Sequence, residues 1–273
     1  MSCGGVPIAY SSRINSSTAP PRGQSNLYNK VVINLSARES VWMKKTGALS
    51  LLKKNPAVFT YYNTLALPDN IDTKIRNDIH RTFHHFNKTK QEGLYQVLRA
   101  YAHFNPDVGY CQGMNFIAGV ILENLPPEKC FWVFLQFMRK LGLASLFMPG
   151  LPGLEEKLRA FKIVQGRFLP KLLEHFEGLG LEGLVFANKW FLTLFGCKYD
   201  IVTLTKFFDA FLVFGWNSMY ALSLAILQHK QTELLQCDNI GDAFVLLETA
   251  PSELPFIKIT TLASTFLANM EPN

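Results

Sequence analysis

Phe207–Leu227 reads "FFDAFLVFGWNSMYALSLAIL", and the fold class turns on it. The run is long enough to cross a bilayer, for which about 20 apolar residues suffice. Asp209 falls inside it, and Gly215-Trp216-Asn217-Ser218 interrupts it midway. A carboxylate in the hydrocarbon of a membrane is costly, whereas a turn between two buried helices accommodates both features. The segment therefore reads as two core helices of a globular protein.

The flanking patterns agree. In "IDTKIRNDIHRTF" the apolar residues Ile71, Ile75, Ile79 and Phe83 recur every four positions, a helical stripe that extends the helix to Phe83. Leu94, Leu98 and Tyr101 continue the theme, "NPDVG" at 105–109 is a turn by composition, and a new apolar helix starts after Gln112. Pro126-Pro127 introduces "EKCFWVFLQFMRKLGL", with prolines where a helix start tolerates them. "LEEKLRAFKIVQGRFLPKLLEHF" forms one long amphipathic helix kinked near Gly166 and Pro170. "GLVFANKWFLTLF" is a buried helix, and "DNIGDAFVLLETA" is another, N-capped by Asp238. Alternating strand patterns with hairpin turns are missing, so the fold class is all-α. Residues 1–30, rich in Ser, Pro and Gly, form a flexible N-terminal tail, and the folded domain takes 31–273.

Composition narrows the function. With 48% hydrophobic and 18% charged residues over 273 positions, the chain buries a large core. Its net charge of +6 is spread along the sequence, with no run of five basic residues, no zinc-finger spacing and no RNP-type aromatic string. A nucleic-acid partner is not indicated. A basic surface suits an acidic protein partner or an anionic membrane surface instead. Cys3, Cys111, Cys130, Cys197 and Cys237 are odd in number and form no CxxC pair, so neither disulfides nor a structural zinc site is indicated. With no signal peptide in view, the expected location is cytoplasmic, and the sequons at Asn15, Asn34 and Asn87 carry no meaning.

Nucleotide loops of the GxxxxGK[ST] and GxGxxG types, GxSxG and HExxH are all missing. His80 and His84, four apart on one helix face with His85 beside them, lack a local third ligand and read as ordinary helix histidines. Asp78 and Arg81 stand at i and i+3. They form either an ordinary helix ion pair or an anchored guanidinium aimed at a partner's phosphates. Gln112 stands at a helix N-terminus, either as a cap or facing an anion. An Arg and a Gln together correspond to the two groups that GTP hydrolysis needs, one neutralising phosphate charge and the other orienting water.

Three motifs resemble those of the TBC domain, the Rab GTPase-activating module. Arg38-Glu39-Ser40-Val41-Trp42 resembles its RxxxW, Ile75–Thr82 its IxxDxxRT, and Tyr110-Cys111-Gln112-Gly113-Met114 its YxQGM. The resemblance covers residues 35 to about 250. It departs from the family at "VVINLSAR", where a GIP-like lead-in is usual, and at Lys206-Phe207-Phe208-Asp209, where R-[IV]-W-D is common. It implies two helical lobes around a V-shaped groove, the first ending near residue 150 and the second abbreviated.

It also implies a Rab-family GTPase in its GTP form as partner, with GTP and Mg²⁺ carried by that partner and no cofactor of the chain's own. Arg81 would be the arginine finger and Gln112 the glutamine finger. Asp78 would orient Arg81, Arg38 and Trp42 would brace the site, and Tyr110 and Gly113 would fix the glutamine loop beside Thr82. The chain would activate an enzyme rather than be one, regulating vesicle traffic with peripheral contact to endomembranes. A non-catalytic Rab-binding scaffold of the same fold is the alternative, against which the presence of both fingers argues. Selectivity among Rabs and oligomeric state are not written in these motifs.

Overall fold

Helices follow one another along the whole of residues 26–270, the part that the computed structural model describes. The first half contains α1 (Leu27–Val31), α2 (Leu35–Thr46), α3 (Ala48–Lys54), α4 (Val58–Thr64), α5 (Asp69–Ile79), α6 (Lys88–Phe104), α7 (Met114–Asn124) and α8 (Pro127–Lys140). The second half contains α9 (Pro152–Phe168), α10 (Pro170–Leu179), α11 (Gly183–Phe186), α12 (Asn188–Thr193), α13 (Ile201–Phe214), α14 (Trp216–His229), α15 (Gln231–Leu234), α16 (Ile240–Thr249) and α17 (Phe256–Leu267). Two short 3₁₀ turns, Leu143–Leu146 and Ala250–Glu253, complete it, and no strand occurs among the described residues.

The deciding stretch forms most of α13 and α14. Gly215 breaks it at φ 54° and ψ −142°, a conformation that residues with a Cβ rarely adopt. No helix among the described residues is long and apolar enough to cross a membrane. Helix α14 packs on α13, α17 and α9, while α8 packs on α2, α3, α6 and α7. Between the two groups runs α7, which touches α2, α5, α6, α8, α12 and α13. That central position explains why "MNFIAGVIL" is apolar nearly all round.

Local chemistry sets several boundaries. Asn34 and Asn87, two of the sequon asparagines, cap α2 and α6, accepting from the backbone N–H groups of Ser36 at 3.2 Å and Lys90 at 2.9 Å. Asn15 lies outside the described residues. Pro127 opens α8, as expected. Helix α16 is capped by Asn239 rather than Asp238, its side chain accepting from the Asp242 N–H at 3.0 Å. The expected kink near Pro170 is a full break. Leu169, pushed off the helical region by the proline after it, separates α9 from α10 at φ −134° and ψ 54°. "GLVFANKWFLTLF" likewise divides into α11 and α12.

The tail expected over residues 1–30 has a different boundary. Residues 1–25 lie outside the described part, but Leu27–Val31 is a helix packed on α13 and α17. Its buried Tyr28 donates to the Ser218 carbonyl at 2.5 Å, and the Leu27 N–H donates to Ser264 Oγ at 2.9 Å. At five residues the helix is too short to give a periodicity to read, so this docking was invisible locally.

Candidate functional site

Of the Ile71–Phe83 stripe, Ile75, Ile79 and Phe83 are buried and Ile71 is half-buried, but the helix stops at Ile79. Arg81 and Thr82 therefore occupy a turn, with their N–H groups bonded to the Asp78 and Ile79 carbonyls at 3.2 Å each. This early stop removes the shared helix face of His80 and His84, since 84 lies beyond the helical repeat. Among the described residues no group of three or more His, Cys, Asp or Glu is arranged to hold a metal.

Asp78 is the hub of the turn. It is 4% exposed, and a buried carboxylate requires partners. Its Oδ1 accepts from Arg81 Nε at 2.9 Å and also from the terminal Nη2 of the same guanidinium. Its Oδ2 accepts from the Tyr110 hydroxyl at 2.6 Å. Burial, reinforced by the Asp78 hydrogen bond, pushes the Tyr110 phenol far above its ordinary pKa, so it remains a donor. The Arg81 side chain is nevertheless 59% exposed. Its root is fixed, and its outer edge faces solvent. The pair foreseen from spacing is real, formed across a helix end rather than along a helix.

Tyr110 carries the geometry to the second loop. Residues 110–113 lead into α7, whose N-cap is Gly113 at φ 110° and ψ −35°. Gln112 is exposed on this loop, and its side chain makes no hydrogen bond among the described residues. It precedes the cap rather than serving as one. Gly113 has no room for a side chain, because a Cβ would lie 2.7 Å from the Leu192 carbonyl oxygen. Gly113→Ala combines that clash with a left-handed φ. It should lower unfolding stability by about 1–3 kcal/mol, measured as a reduced urea midpoint at unchanged slope.

The third motif behaves differently. Arg38 and Trp42 do not touch Arg81 or Gln112. They converge on Asp209 of α13, which is fully buried. Asp209 accepts from Arg38 Nη2 at 3.1 Å, Trp42 Nε1 at 2.7 Å and the Ile33 N–H at 3.0 Å. Arg38 also reaches Asn124 Oδ1 at 3.3 Å, at the end of α7 remote from Gln112. The two side chains thus tie α2 to α13, and Arg38 meets α7 at Asn124.

One member of the site was missed. Asn115, 1% exposed, donates to Thr82 Oγ1 at 2.9 Å and accepts from the Gly113 N–H at 3.0 Å. The signal was an amide in the first turn of an otherwise apolar helix, where a buried polar group implies a partner.

The Rab-GTPase-TBC domain family matches residues 35–235. The chain is 34% identical over 210 residues to the ecotropic viral integration site 5 protein homolog of Homo sapiens, covering 75% of this chain and 25% of that protein. It is 33% identical over 211 residues to Rab GTPase-activating protein tbc-11 of Caenorhabditis elegans, covering 75% and 23%. The chain thus spans about a quarter of the length of these relatives. A Chlamydomonas flagellar RabGAP TBC domain superposes with a TM-score of 0.74 at 21% identity, over 91% of this chain and 85% of that one, a likeness of fold.

Proposed function

Because this chain belongs to the Rab-GTPase-TBC domain family, we propose that it accelerates GTP hydrolysis by a Rab-family GTPase through Arg81 and Gln112. The observation that supports this most is the anchored but exposed guanidinium of Arg81, tied through Asp78 and Tyr110 to the loop that presents an unbonded Gln112. A guanidinium so placed neutralises charge developing on the γ-phosphate, and a free amide orients the attacking water.

The division of labour follows from the chemistry. GTP and Mg²⁺ arrive with the partner in its GTP form, and this chain supplies two side chains and a surface. It activates an enzyme and needs no cofactor of its own. Its place is in the cytoplasm, regulating vesicle traffic with peripheral contact to endomembranes.

Single-turnover hydrolysis across a panel of GTP-loaded Rabs tests this. At least one Rab should hydrolyse GTP far faster with the protein present, and Gln112→Ala should lower that rate by about 10²-fold, the scale for losing one positioned transition-state group. A responsive Rab that is unaffected by Gln112→Ala would remove the glutamine from the mechanism. Stable binding to a GTP-loaded Rab with unchanged hydrolysis across the panel would instead support the scaffold.

A further inference from the structure

Gln112 is flanked by two anchors, and both end on the same turn. On its N-terminal side, the Tyr110 hydroxyl donates to Asp78 Oδ2 at 2.6 Å. On its C-terminal side, the Asn115 amide spans the gap, with Oδ1 on the Gly113 N–H at 3.0 Å and Nδ2 on Thr82 Oγ1 at 2.9 Å. Thr82 in turn donates to the Asp78 carbonyl at 2.7 Å. The Asp78–Thr82 turn that carries Arg81 and the Tyr110–Asn115 loop that carries Gln112 are thereby joined at both ends of the loop.

The direction of this relay is forced. A hydroxyl has one proton, and that of Thr82 is committed to the Asp78 carbonyl, so Thr82 can only accept from Asn115. The Gly113 N–H can only donate. Reversing the amide would oppose two N–H groups at Gly113 and two lone pairs at Thr82. Asn115 thus has one satisfied orientation, in a site from which water is excluded. Close packing reinforces it, since a Cβ on Gly119 of α7 would lie 3.3 Å from Thr82 Cγ2 and 2.8 Å from the Phe83 ring.

We propose that Asn115 is a positioning residue that holds the Gln112 loop in register with Arg81, acting through Gly113 on one side and Thr82 on the other. The inference rests on the reading of Arg81 and Gln112 as the pair that acts on GTP. Asn115 is buried at 1% exposure, out of reach of a partner's nucleotide. It sets where Gln112 stands relative to a guanidinium already fixed by Asp78, and a displacement near 1 Å at such a group costs on the order of 10²-fold in rate.

The test is hydrolysis of GTP by a responsive Rab with wild type, Asn115→Ala, Thr82→Val and Thr82→Ser, each also combined with Gln112→Ala. Asn115→Ala and Thr82→Val should lower kcat by about 10- to 100-fold with KM for the Rab changed by less than about twofold, and Thr82→Ser should restore it. In the Gln112→Ala background, Asn115→Ala should cost less than about twofold more, because no amide is left to position. Equal losses in both backgrounds, or an Asn115→Ala variant as active as wild type, would overturn the proposal. Thr82→Val keeps the side-chain shape, so it decides the matter if Asn115→Ala does not fold. A wild-type chain that accelerates no Rab sinks the functional reading and this inference with it, whereas an active wild type with an active Asn115→Ala sinks the positioning role alone.

Discussion

Replacing Arg81 by alanine is expected to remove the acceleration of GTP hydrolysis almost entirely, a loss on the order of 10³–10⁵-fold for a finger-type arginine. The geometry says why lysine should not rescue it. A guanidinium has five N–H donors in a rigid fork. Asp78 engages Arg81 through Nε and Nη2, which leaves both Nη1 protons and one on Nη2 directed away from the anchor. Arg81 can therefore be held and still bind phosphate oxygens. An ammonium is a single point of charge, and when it pairs with Asp78 it has no second edge to offer. The change should also cost far less stability than activity. The side chain is 59% exposed, and Asp78 keeps its bond from Tyr110, so a cost of about 1–2 kcal/mol is the scale. Single-turnover rates paired with urea midpoints separate the effects. Arg81→Ala or Arg81→Lys with full activity on a responsive Rab would eliminate the proposed role.

Much of this was legible before any coordinate. Asp78 and Arg81 could be singled out because three positions along a helix translate directly into proximity, whereas Gln112 was joined to them only through the resemblance to the TBC motifs. The all-α class followed from the period of Ile71, Ile75 and Ile79 and from the break at Gly215. What stayed hidden was of two kinds. Helix ends are decided by competition among nearby groups, so α5 stopped at Ile79 although the apolar stripe ran on to Phe83, and Asn239 displaced Asp238 as a cap. Long-range pairings leave no local trace at all. Tyr28 on Ser218, Asn115 on Thr82 and Trp42 on Asp209 join residues 190, 33 and 167 positions apart, and no periodicity records them. The motif residues Arg38 and Trp42 were visible, but their partner Asp209 was not.

The Asp209 contacts carry the second large prediction: Asp209→Ala should cost about 3–5 kcal/mol of unfolding stability. The carboxylate is fully buried and accepts from a guanidinium, an indole N–H and a backbone N–H. Its removal leaves Arg38, 6% exposed, with only the Ile33 carbonyl and Asn124 as acceptors among the described residues, and strands the Trp42 and Ile33 donors. Against a total stability of about 5–15 kcal/mol, that is a large share, and the melting temperature should fall by roughly 10 °C or more. Trp42→Phe keeps an aromatic ring against Phe137 and Phe208 while deleting one donor, and should cost less than Asp209→Ala. If the trio braced the catalytic groups directly, activity per folded molecule would fall alongside stability. The structure argues otherwise. The trio meets α7 at Asn124, and an 11-residue helix, about 16 Å long, separates that end from the Gln112 loop. Folded Asp209→Ala at low temperature should therefore accelerate GTP hydrolysis by a responsive Rab at close to the wild-type rate. An unchanged unfolding midpoint would refute this tie between α2 and α13, and a stable protein with lost activity would return Arg38 and Trp42 to the site.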